Sequence, residues 1–84
     1  MIRTDFRVLI QLKESGGYAT PEISLLTYVN LSGSAITLSE MREALRSWEA
    51  QGCVVSIAEE QGRSKVTMWS ITPTGLAKLA EKAL

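Results

Sequence analysis

Eighty-four residues make one domain with one small core, and a chain this long buries roughly 60 to 65% of its unfolded surface. With 45% hydrophobic residues the composition is globular rather than disordered, and the single cysteine, Cys53, excludes an internal disulfide. Nine Lys and Arg balance nine Asp and Glu, so net charge offers no argument for a nucleic-acid partner and local patches must carry one.

The opening "MIRTDFRVLIQLKESGG" is broken by Arg3, Asp5, Arg7 and Lys13, so it reads neither as an export signal nor as a bilayer span. A cytoplasmic, reducing location is expected. Thr4 caps a first helix from Asp5 to Glu14, with Phe6, Leu9, Ile10 and Lys13 along one seam and Gly16-Gly17 as the stop. Val8 and Leu12 form a second apolar face, which calls for cover by a C-terminal helix or by a neighbouring chain, and so points to a dimer.

"TPEISLLTYVNLSG" places Thr20 as N-cap and Pro21 at the first helical position, where its missing N–H costs nothing. Ile23, Leu25, Leu26, Tyr28, Val29 and Leu31 exceed what one buried stripe needs, which assigns Leu25 and Tyr28 to a partner. In the third helix, Thr37 and Glu40 have the spacing of a reciprocal capping box. Leu38, Met41, Leu45 and Trp48 then form a packed seam, leaving Ser39, Glu40, Arg42, Glu43, Arg46, Ser47 and Glu49 outside, and Gly52 supplies the stop.

Beyond Gly52 the period falls to two: Cys53, Val55 and Ile57 alternate with Val54, Ser56 and Ala58, and "EEQGRS" turns the chain before a second strand from Val66 to Ile71. Thr72-Pro73 opens a last helix with Leu76, Leu79, Ala80 and Ala83 on its seam, Leu76 and Leu79 being further candidates for a dimer interface. The expected class is α+β, in the order α-α-α-β-β-α, as a single domain over residues 1–84.

This order, with "EALRSWEAQGCVV" at a helix-Gly-strand junction and "ITPTGLAKLAE" as closing strand and helix, resembles the winged helix-turn-helix domains of the broad MarR, PadR and ArsR type. "GYATPEISLL", "EMREALRSWEAQGCV" and the terminal "TPTG" resemble small winged-helix proteins of Mu-like phages and prophages. The resemblance implies a DNA-binding transcription regulator. The metal-sensing branch uses Cys and His ligands; with no His and one Cys here, no metal site and no cofactor are expected.

In a helix-turn-helix the third helix enters the major groove and the wing tip meets phosphate or minor groove. The corresponding positions are Ser39, Arg42, Glu43 and Arg46, with Gln61, Arg63 and Lys65 in or beside the wing, and double-stranded DNA as partner. Glu40 is explained by the cap. The alternative for Arg42, Glu43, Arg46 and Glu49 is a set of solvated ion pairs, worth about 0.3 to 0.5 kcal/mol each on an exposed helix.

Trp48 and Trp69 read as core aromatics and Cys53 as a buried small hydrophobe. The chain lacks the nucleophile–base pairs, metal spacings and phosphate loops of enzymes, and Glu59-Glu60 lie where water levels their pKa values. The competing function is a protein-interaction module on the same scaffold that does not use the groove-reading face.

Overall fold

The computed structural model describes residues 3–16 and 18–83, apart from the side chains at positions 61, 82 and 83. Gly17 in the first helix stop, the Gln61 side chain and the Ala83 side chain therefore lie outside the described residues. Four helices and a three-stranded antiparallel sheet form an α+β unit: α1 (Thr4–Glu14), β1 (Thr20–Pro21), α2 (Glu22–Leu31), α3 (Leu38–Ala50), β2 (Val54–Gln61), β3 (Ser64–Ile71) and α4 (Pro73–Ala83). The sheet order is β1-β3-β2.

Helix α1 starts one residue earlier than the sequence suggests. Arg3 occupies the cap in extended geometry without a side-chain cap bond, and the Asp5 carboxylate accepts the Phe6 N–H at 2.9 Å. Thr4 is thus helical rather than the cap. The buried face is Phe6, Val8, Leu9 and Leu12, whereas Ile10 is half-buried and Lys13 exposed, so the seam is rotated toward Val8 and Leu12. The cause is tertiary: α1 is central and packs against α2, α3, α4 and β3. Both apolar faces are covered by its own chain.

The "TPE" segment departs further from expectation. Thr20 is not a helix cap; Thr20 and Pro21 form the short strand β1, paired with Trp69 and Met68 of β3, and Pro21 itself is the N-cap of α2. An extended proline is tolerated at a sheet edge because it has no N–H to leave unpaired there. Thr20 is buried and its hydroxyl donates to Ser15 Oγ at 2.9 Å.

At the other end of α2, the Arg7 guanidinium donates from Nη2 to Val29 O at 2.7 Å, placing a cation where the helix dipole is negative. Asn30 then fixes the connection to α3: its Oδ1 accepts the Ile36 N–H at 2.8 Å and its Nδ2 donates to Ile36 O at 3.4 Å.

The hairpin is longer than expected. Its strands pair without interruption from Val54↔Ile71 to Gln61↔Ser64, so Glu59, Glu60 and Lys65 belong to strands and only Gly62 and Arg63 form the tip. Gly62 has φ +66°, the left-handed geometry that a tight two-residue loop places at its first position. Val54, Trp69 and the half-buried Ile71 belong to the core, while Val55 and Ile57 lie on the outer side and are about half exposed.

Helix α4 begins as Thr72-Pro73 suggests, since Thr72 Oγ1 accepts the Gly75 N–H at 3.1 Å and donates to Gly52 O at 2.6 Å. Its close approach to the sheet depends on Gly75, where a Cβ would collide with the Cys53 carbonyl and stand 2.7 Å from Ile71 Cγ1. One core results, with Val8, Leu9, Leu12, Leu25, Val29, Met41, Leu45, Cys53 and Val54 fully enclosed and Trp48 and Trp69 slightly more exposed.

Candidate nucleic-acid interface

Helix α3 is held at both ends by local chemistry. Thr37 Oγ1 accepts the Glu40 N–H at 3.1 Å and the Glu40 carboxylate accepts the Thr37 N–H at 2.9 Å, so the capping box is complete. The Thr37 backbone and side-chain hydrogen bonds hold the Glu40 carboxyl below its usual pKa. Glu40 is a cap, as its spacing suggests. Past the C-terminus, Gly52 takes φ +76° and turns the chain into β2.

The inward seam is Met41, Ala44, Leu45 and Trp48. Trp48 meets Phe6 edge-on with ring centroids 5.1 Å apart and donates its indole N–H to Asp5 O at 2.7 Å. That leaves Ser39, Arg42, Glu43, Arg46, Ser47 and Glu49 exposed on the opposite side.

These exposed residues are not equivalent. Arg42 donates from Nε to Glu22 Oε1 and from Nη2 to Glu22 Oε2, both at 3.0 Å, forming a two-pronged ion pair with the first turn of α2. The Glu22 hydrogen bonds and charge push the Arg42 pKa up. Arg46 makes no hydrogen bond or ion pair among the described residues. Glu49 accepts a hydrogen bond from Ser56 of β2 at 2.9 Å, tying α3 to the hairpin base. Ser39 and Glu43 face solvent.

On the hairpin, Arg63 sits at the tip and Lys65 faces Glu60 across the strands. Arg42 and Lys65 come together, lining one groove with Pro21, Glu22, Ile23, Val66 and Thr67 between α2, α3 and β3. Exposed cations on α3 and the hairpin are Arg42, Arg46, Arg63 and Lys65; exposed carboxylates are Glu40, Glu43, Glu49, Glu59 and Glu60. Four against five leaves this surface electrostatically near balance.

The expected partner-facing set divides. Val8, Leu12 and Leu25 have no solvent exposure within one chain and Leu79 is 8% exposed, so these four belong to the core of one chain rather than to its surface. Tyr28 is 48% and Leu76 44% exposed. Sequence periodicity placed Ile23 and Leu31 only within the apolar surplus of α2 and missed Tyr18; among the described residues these are the most exposed large apolar side chains, Tyr18 at 81%, Leu31 at 79% and Ile23 at 66%. It also missed Glu22 as the partner of Arg42, for a pair twenty residues apart leaves no local pattern.

Among solved structures, the chain is similar to a PadR family transcriptional regulator from Eggerthella lenta DSM 2243, with a TM-score of 0.77 at 21% identity over 90% of this chain and 67% of that one. A match over 90% of the chain takes in its helices and the β2–β3 hairpin together. The chain is a winged helix-turn-helix domain.

Bacillus subtilis PadR in complex with operator DNA matches the winged helix-turn-helix with a TM-score of 0.75 at 14% identity, over 94% of this chain and 46% of that one. A zinc-responsive MarR family member from Lactococcus lactis matches with a TM-score of 0.64 at 15% identity, over 95% and 49% respectively. The chain spans about half the length of these last two proteins. No family model and no curated protein matches it.

Proposed function

We propose that this winged helix-turn-helix domain binds double-stranded DNA as the DNA-reading part of a transcription regulator, inserting the outer face of α3 into the major groove and resting the β2–β3 wing on the backbone. The observation that carries the reading is Arg46, a cation without a partner among the described residues, on the exposed face of a rigidly capped helix, on a fold shared with PadR, which is seen in complex with operator DNA. Ser39, Arg42 and Glu43 accompany it on α3, and Gln61, Arg63 and Lys65 belong to the wing. Glu43 is a hydrogen-bond acceptor suited to a cytosine amino group.

With Arg42 offset by Glu22, three cations remain on α3 and the wing for phosphate contact: Arg46, Arg63 and Lys65. The salt slope of a single domain is then about −3, and a two-fold dimer on a palindromic site doubles it. Tyr28 and Leu76 are the members of the expected dimer set with exposed surface to offer. A cytoplasmic location accompanies this reading, and the phage-type assignment rests on the sequence resemblance.

The test is duplex affinity against salt for the wild type and for Arg46→Ala combined with Lys65→Ala. The slope should fall by about two for each domain bound. Superimposable curves would remove α3 and the wing from the interface. A second reading, a protein-interaction module, draws on the exposed Tyr18, Ile23, Tyr28 and Leu31 and on the surplus of carboxylates over cations on α3 and the wing. It predicts no salt-sensitive duplex binding at all.

A further inference from the structure

The Arg42–Glu22 pair is built from rigid parts. Glu22 follows Pro21, which is paired to Met68 in the sheet, so the carboxylate stands at a fixed junction of strand and helix. Its place in the first turn of α2 is also where the helix dipole favours a negative charge. The Glu22 side chain is only 12% exposed, whereas Arg42 keeps 48% of its surface open. The carboxylate is thus largely enclosed while the guanidinium side keeps open surface, and both residues line the groove between α2, α3 and β3.

A guanidinium carries five N–H donors, and Glu22 takes one on Nε and one on Nη2. Three remain, two on Nη1 and one on Nη2, and together they form a second planar fork. We infer that Glu22 is a specificity-determining positioning residue that holds Arg42 as a reader of guanine, presenting the outer Nη edge to the O6 and N7 acceptors of a major-groove guanine. This rests on the DNA-binding reading above.

Two physical effects separate a held arginine from a free one. The carboxylate offsets the positive charge, so the pair gains little from counterion release and is a poor phosphate clamp. Fixing the fork before binding removes the ordering cost of a long side chain, so the geometric match to guanine is retained in the affinity. Arg42 therefore contributes discrimination, and Arg46, Arg63 and Lys65 contribute salt-dependent attraction.

The experiment selects from a randomised duplex library with the full chain, as wild type, Arg42→Ala, Glu22→Ala and the near-isosteric Glu22→Gln, and measures the salt slope of each on a mixed-sequence duplex. Thermal unfolding checks that each variant is folded. The wild type should select a guanine at one position per domain, with a preference on the order of tenfold or more over other bases. Arg42→Ala should lose that preference with an unchanged slope.

Both Glu22 variants should lose the preference while their slope steepens by about one, because the released guanidinium then clamps phosphate. A merely structural role for Glu22 would weaken binding to all sequences without steepening the slope. Guanine selection retained in a folded Glu22→Gln, or a slope no steeper than wild type, overturns the inference while leaving Arg46-dependent binding intact. Absence of duplex binding by the wild type overturns both this inference and the DNA reading.

Discussion

The Trp48 indole N–H and the Asp5 carbonyl oxygen, 2.7 Å apart, join the last turn of α3 to the first turn of α1 across forty-three residues of chain. This bond, with the edge-on Phe6 ring, fixes the angle at which α3 leaves the body. Trp48→Phe keeps most of the apolar volume and removes the donor, so it should cost about 1 to 2 kcal/mol. Trp48→Ala should cost about 3 to 5 kcal/mol. Urea unfolding of the three proteins checks the order; a Trp48→Phe protein as stable as the wild type would show that the hydrogen bond contributes nothing.

The capping box makes stability depend on pH in a defined direction. Glu40 is held below its usual pKa by Thr37, so its contribution is complete above the unfolded value of about 4.3 and disappears as pH falls through the lower folded value. Glu40→Gln should flatten this acid limb of the unfolding curve without altering stability trends near neutrality. Thr37→Ala should cost about 1 kcal/mol at neutral pH. Denaturant titrations across the acid range provide the measurement.

Glycines 75 and 62 should fail differently. At Gly75 a methyl group meets backbone and the Ile71 side chain, so Gly75→Ala should destabilise by about 1 to 3 kcal/mol or force α4 away from β3. At Gly62 nothing lies within 4 Å, and the penalty for Ala comes from φ +66° alone. Gly62→Asn, which tolerates that conformation, should recover most of the loss at Gly62→Ala. Melting temperatures of the three variants distinguish space from backbone geometry.

Leu25 and Tyr28 occupy the same helix and should answer different assays. Leu25→Ala opens a cavity in the core and should cost about 2 to 5 kcal/mol with no specific effect on self-association. Tyr28→Ser, on the exposed face, should leave stability within about 0.5 kcal/mol and weaken any dimer seen by sedimentation equilibrium. A large stability loss at Tyr28→Ser would mean that its ring belongs to the core.

Local sequence rules read α3 almost completely. The Thr37–Glu40 box, the Met41–Leu45–Trp48 seam and the Gly52 stop each depend on neighbours within one or two turns, and each appears as its spacing suggests. The outer strip of Ser39, Glu43 and Arg46 was legible for the same reason. The partner-facing set was not, because a surplus of apolar residues on α1 and α2 signals cover without saying which element supplies it. Here α4, β3 and α3 supply it, and Val8, Leu12, Leu25 and Leu79 are enclosed by one chain.

The two Thr-Pro dipeptides show where sequence stopped and tertiary structure began. By itself the sequence determined the α+β class, four helices, the caps of α3 and α4, a hairpin after the third helix, and the outward strip of α3. Thr72-Pro73 opens a helix as its residues favour, through the Thr72 hydroxyl and the Gly75 N–H. Thr20-Pro21 instead becomes a strand because the edge of β3 lies beside it and offers pairing to Trp69 and Met68, partners nearly fifty residues away. That strand sets Glu22 against Arg42, so only the assembled fold decided that Arg42 is held while Arg46 has no partner among the described residues.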